Sequence, residues 1–151
     1  MELARPATDA DRTSCMQLLG AALTRAASMR GGPALVRRAT AEDLLARWAE
    51  GSRPVAVFVG EYEGAVVGVL AVVAEDLDGQ RRGRIECCYV DADARGVGVG
   101  TALMEAAVAW CKAAGCDELD ALALPGDRAT KQRLEASGFT ARLLTLSRRL
   151  G

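Results

Sequence analysis

Apolar positions along the chain follow two different periods. Val55 to Gly60 and Ala65 to Ala74 are dense apolar runs. They predict two strands joined through Glu61-Tyr62-Glu63-Gly64, a hairpin with a turn of about four residues. The polar stretch Glu75 to Gly83 reads as a loop. Arg84 to Val90 is a third strand. Strict alternation would put Glu86, Cys88 and Val90 on one face and Ile85, Cys87 and Tyr89 on the other.

Helical spacing surrounds these runs. Glu2 to Pro6 predicts a short first strand. Thr8, Asp9 and Asp11 then supply a helix start, with Met16, Leu19 and Leu23 on one face. Arg30-Gly31-Gly32-Pro33 breaks that helix. Thr40-Ala41-Glu42-Asp43 is a second N-cap signature, followed by Leu44, Leu45 and Trp48 and ended by Gly51. Beyond the third strand, Leu103, Ala106, Ala107, Trp110 and Ala114 line a long helix closed by Gly115. Glu118 to Leu124 predicts a strand, Asp127 to Gly138 a helix, and Phe139 to Leu150 a last strand. Consecutive early strands imply antiparallel pairing, and the later strand-helix-strand unit implies a parallel pair. The fold class is α/β: a mixed, mostly antiparallel sheet flanked by helices on both faces, in one domain spanning residues 1–151.

Composition narrows the chemistry. The chain has no histidine, which excludes Ser-His-Asp and Cys-His catalysis and imidazole-bound zinc. Cys15, Cys87, Cys88, Cys111 and Cys116 form no CxxC pair and read as reduced core residues of a cytoplasmic protein, with no metal site. The net charge of −1 gives no general case for nucleic acid or an anionic membrane. The first residues do not form a signal peptide, and the longest apolar run is too short to cross a bilayer.

The segment between the third strand and the long helix is a glycine loop, Arg95-Gly96-Val97-Gly98-Val99-Gly100. Glycines let backbone N–H groups approach a ligand, and the following helix adds unpaired N–H groups and partial positive charge. Together they suit a phosphate or diphosphate, with Arg95 at the entrance for a charge-assisted contact. A P-loop would need Gly-Lys-Ser/Thr, and Gly100-Thr101 lacks the lysine. A Rossmann fingerprint would need a third glycine where Thr101 or Leu103 stands.

The loop matches Q/R-x-x-G-x-G/A, the pattern of the GNAT superfamily of acyl-CoA-dependent N-acyltransferases, and the chain resembles that family over nearly its whole length. Ile85 to Val90 resembles its central strand. Asp127 to Phe139, ending Leu134-Glu135-Ala136-Ser137-Gly138-Phe139, resembles its last helix. The resemblance implies acetyl-CoA as co-substrate. The backbone of Val97 to Thr101 would hold its diphosphate, and the backbone from Cys88 through Tyr89 to Val90 would lie beside the thioester. It implies a central strand splayed from its neighbour, and the N–H of Val90 as donor to the acetyl oxygen. Asp127, on the cofactor side, stands where the family often has Asn.

The implied reaction is acetyl transfer to a primary amine, of a small molecule or a peptide, by direct attack in a ternary complex. Without histidine, a carboxylate is the natural base. Glu86 matches a functional Glu of some family members, and apolar surroundings would suit it to accept a proton. The family often places Tyr as the acid where this chain has Leu134, so either water or the Cys88 thiol protonates the leaving group. That departure also keeps open a catalytically weak acyl-CoA-binding module. The acidic residues Glu75, Asp76 and Asp78 would draw a cationic amine. After Phe139 only one strand's worth of chain remains, leaving the acceptor wall short or completed by a second subunit.

Overall fold

The computed structural model describes residues 3–36, 41–50 and 55–151. Among these, five strands form one sheet in the order β1-β2-β3-β4-β5. They are β1 (Ala4–Pro6), β2 (Val55–Tyr62), β3 (Ala65–Leu77), β4 (Gln80–Val90) and β5 (Glu118–Asp120). The first three pairings are antiparallel, and β4 pairs β5 in parallel. The helices are α1 (Arg12–Ala27), α2 (Gly32–Val36), α3 (Ala41–Glu50), α4 (Val99–Ala113) and α5 (Arg128–Ala136). Thr40 and Gly51, the expected ends of the helix that became α3, and Glu2 lie outside the described residues.

Strand β3 sits at the centre, and Val69 to Val73 have no exposed surface. One layer packs Cys15, Leu18 and Leu19 of α1 and Leu44 and Leu45 of α3 against Val57, Val59, Val69 and Ala71. The other packs Val99, Leu103, Met104 and Ala107 of α4 and Leu134 of α5 against Phe58, Leu70, Val72 and Ile85. The two helical layers follow from the period-2 split of side chains along β2 and β3, both of whose faces are apolar.

Two glycines seat α4. Gly60 and Gly68 lie opposite each other on β2 and β3. A Cβ on Gly60 would stand 2.3 Å from Val99 Cγ1, and one on Gly68 3.1 Å from the same atom. The missing side chains leave a dimple that takes the first turn of α4 and fixes where the glycine loop ends. At the other end of the chain, Arg5 holds Asp11 at 2.7 Å and Glu61 at 2.6 Å, tying β1 to β2 and to the entry of α1.

Four expectations are corrected. The turns are shorter than the polar residues suggested: Glu63-Gly64 and Asp78-Gly79 are two-residue turns with positive φ at both positions. The stretch Glu75 to Gly83 is therefore mostly strand, because an Asp-Gly turn matches strand twist. An additional short helix, α2, follows the break at Gly31. Strand β5 stops at Asp120, four residues early. Phe139 packs on the core, but residues 140–151 form no strand, and Leu143, Leu144, Leu146 and Leu150 are over 80% exposed. A strand needs a partner edge, and β5 offers one only three residues long.

Candidate active site

The glycine loop lies where β4 hands over to α4. Gly96 (φ 85°) and Gly98 (φ 93°) both occupy left-handed backbone that disfavours a side chain. Gly98 is the N-cap of α4, and no side chain caps it. The Gly98 carbonyl accepts from Ala102 N–H at 3.0 Å. The helix gives the N–H groups of Val99, Gly100 and Thr101 no partner, so they remain available to an anion. Val99 itself is buried, which pins the loop's end against the sheet.

A groove of about 360 Å³ runs beside this loop, lined by Val90, Ala94, Arg95, Gly96, Gly98, Gly100, Thr101 and Arg133. Val97 is exposed on the loop's outer side. A wider recess of about 650 Å³ opens on the far side of the α4 N-terminus, but Glu105 lines it and suits an anion poorly. Arg95 lines the groove while engaged with its wall. Its Nε donates to the Val90 carbonyl at 3.1 Å, and its guanidinium lies 5.8 Å from the centre of the Tyr89 ring.

Among the described residues, the rest of β4 up to the loop has a free edge. Strand β5 pairs with it only at Arg82, Gly83 and Arg84. Arg82 clamps that short pairing through Glu118 at 2.8 Å and Asp120 at 3.0 Å. The Asp91 N–H reaches back to Val67 on β3. Backbone groups alternate sides along a strand, so the N–H groups of Val90 and Cys88 face away from β3, toward the open side. The Val90 carbonyl points the same way, where Arg95 meets it.

Glu86 is not where strict alternation put it. In the β3–β4 register Ala71 pairs Cys87 and Val72 pairs Ile85, so Glu86 is the extra residue of a β-bulge. The bulge returns Ile85 to the face of Cys88 and Val90, in the α4 layer, while Cys87 and Tyr89 join the α1 and α3 layer. Glu86 meets Arg47 of α3 at 3.7 Å and Arg84 at 2.7 Å. Two corrections follow. Glu86 does not share a face with Cys88, and its surroundings are two guanidinium groups rather than apolar strands. Arg84 also holds Glu75 at 2.9 Å, and Arg81 holds Asp76 at 3.6 Å, so those two acids of the expected loop are engaged within the sheet.

Asp127 caps α5. Its carboxylate accepts from Thr130 N at 3.2 Å and Thr130 Oγ1 at 2.7 Å, and pairs with Arg25 of α1 at 3.2 Å. Burial works against its charge, but the hydrogen bonds from Thr130 and Arg25 prevail and hold the carboxyl below the usual carboxylate range. It is not among the residues lining the groove. Leu134 is buried in the α4 layer. Burial pushes the Cys87 thiol up to about 12. Burial raises the Cys88 thiol as well, opposed by the charge and hydrogen bonding of Arg133.

Arg133 was missed by sequence reasoning. Helical periodicity marks apolar positions, and Arg133 lies beside Leu134 with no motif of its own. Gly100 was the available signal, because a glycine inside a helix makes room for something large.

A family model described as the acetyltransferase (GNAT) family matches residues 19–139. The chain belongs to the GNAT acetyltransferase family. No curated protein sequence matches it. Among solved structures, glucosamine-6-phosphate N-acetyltransferase from Arabidopsis thaliana is 23% identical with a TM-score of 0.71, covering 98% of this chain and 97% of that one. A GCN5-related N-acetyltransferase from Ralstonia eutropha is 23% identical with a TM-score of 0.72, covering 97% of each chain. Aminoglycoside 6'-N-acetyltransferase from Acinetobacter haemolyticus is 18% identical with a TM-score of 0.67, covering 98% and 99%. At these identities the likeness is one of fold. GNAT acetyltransferases draw on acetyl-CoA and acetylate amines.

Proposed function

We propose that this GNAT chain transfers an acetyl group from acetyl-CoA to a primary amine by direct attack in a ternary complex. One observation carries the reading. The free edge of β4 opens between a phosphate-ready groove on one face of the sheet and Glu86 on the other. Donor and acceptor can then meet across the gap without a covalent enzyme intermediate.

The fit to the coenzyme rests on the outward N–H groups at the start of α4. Those of Val99, Gly100 and Thr101, with Val97, hold the diphosphate, and Arg95 borders it. Bound acetyl-CoA supplies an activated thioester. The backbone from Cys88 to Val90 aligns its arm, and the Val90 N–H donates to the acetyl oxygen. Glu86 takes the proton from the incoming ammonium, displacing Arg84 or Arg47 as it does so. With Leu134 in the core, water protonates the departing thiolate. A second reading, an acyl-CoA-binding module with little turnover, draws on the same Leu134 and on the arginines that occupy Glu86.

Acetyl-CoA should raise the melting temperature of the wild-type chain by mass action. Gly98→Asp should abolish that shift. Coenzyme A release over a panel of amines then measures turnover, and Glu86→Gln should lower it by about 10²–10³. No melting shift at millimolar acetyl-CoA would remove the donor. A shift without turnover of any amine would leave the binding module.

A further inference from the structure

We propose that Arg133 is a side-chain ligand of the coenzyme diphosphate, closing the groove opposite the glycine loop. The proposal rests on the acetyl-CoA reading above and adds a residue that lies outside the loop motif.

Three observations carry it. First, the guanidinium of Arg133 stands 3.4 Å from where a Cβ on Gly100 would be, so the cation lies directly against the first turn of α4. Second, it lines the same groove as Gly96, Gly98 and Gly100. Third, among the described residues no carboxylate lies within ion-pair reach of it. The other half-buried arginines differ: Arg5, Arg25, Arg47, Arg81, Arg82 and Arg84 each hold an acid. The neighbour Arg133 does have, Cys88, is a thiol kept neutral by burial.

This arrangement is electrostatically incomplete. A partly desolvated cation sits beside the positive end of a helix, and like signs there repel. An anion placed between them would satisfy both. A diphosphate suits the gap because its oxygens can accept from the backbone N–H groups on one side and from a planar guanidinium fork on the other. Arg95, the motif's own cation, also lines the groove but is engaged with the Val90 carbonyl and the Tyr89 ring, so Arg133 adds a second cation to the wall from α5.

Calorimetric titration of acetyl-CoA into wild type, Arg133→Leu and Arg133→Lys tests this, at low and at moderate salt. Arg133→Leu keeps the apolar stem and should weaken binding about 10- to 100-fold, the range for hydrogen bonds to a charged group. Its affinity should also fall less steeply with salt than that of wild type. Arg133→Lys keeps the charge without the fork and should recover part of the loss. Melting temperatures identify any variant that fails to fold, and Arg133→Lys then carries the comparison. Arg133→Leu binding within about twofold of wild type overturns the proposal. A loss with unchanged salt dependence and no recovery by lysine also overturns it, since that is a packing effect. If wild type itself binds no acetyl-CoA, the coenzyme reading fails first, and the two failures are told apart.

Discussion

Replacing Gly60 by alanine tests what fixes the start of α4. The new Cβ would stand 2.3 Å from Val99 Cγ1, 3.4 Å from Leu103 Cδ1 and 3.5 Å from the Leu3 carbonyl oxygen. Favourable carbon–carbon contact begins near 3.5 Å, so the overlap with Val99 exceeds about 1 Å. Val99 is 1% exposed and β-branched, and a helix allows it essentially one rotamer, so it has nowhere to swing. The first turn of α4 must lift instead. Overpacking of this kind costs about 1–3 kcal/mol. For a chain of this size that is a fall in Tm of about 2–10 °C. Because Gly98 begins the same turn, acetyl-CoA affinity should fall with it. The decisive comparison is a double-mutant cycle by urea unfolding. Val99→Ala removes the atom that clashes, so Gly60→Ala should cost less in that background, by at least about 1 kcal/mol. Additive effects, or a Gly60→Ala protein within about 0.5 kcal/mol of wild type, would refute the steric account.

Other outcomes follow from buried ionisable groups. Hydrogen bonds from Arg5 hold the Asp11 carboxyl far below the usual range. Asp11→Asn should therefore cost about 1.5–3 kcal/mol at pH 7. A depressed native pKa stabilises the fold fully above the unfolded value near 4, and that contribution disappears as pH falls through the native one. The gap between wild type and Asp11→Asn in urea unfolding should thus hold at pH 5–7 and narrow below about pH 4; a gap that widens in acid would contradict the linkage. Burial raises the Cys15 thiol to about 11 and the Cys111 thiol to about 12. Iodoacetamide at pH 8 should leave both unmodified by mass spectrometry until denaturant is added, and rapid labelling of the folded chain would show that they are not buried.

Much of this was readable from residues because it depended on runs rather than single positions. The apolar stretches of β2 and β3, the glycine loop and the long helix after it each carry several consistent signals. What escaped turns on one residue at a time. The bulge at Glu86 adds a single residue to β4 and sends the candidate base to the other face, a change that alternation cannot anticipate. The Asp78-Gly79 turn was legible in principle, since Asp-Gly between apolar strands is a hairpin signal that the surrounding charges obscured. Those charges are ion pairs across β3 and β4, visible only once the register is known. The terminal leucines have strand-like composition, but forming a strand depends on a partner edge, which is a property of the fold and not of the segment.

The two apolar clusters on either side of the sheet have no residue in common. Substitutions far apart with no shared partners act nearly independently on stability. A lineage carrying this architecture is therefore free to remodel α1 and α3, beside Glu86, without re-solving the packing that shapes the groove beside α4 and α5. The sheet thus separates two packing problems that can be solved one at a time.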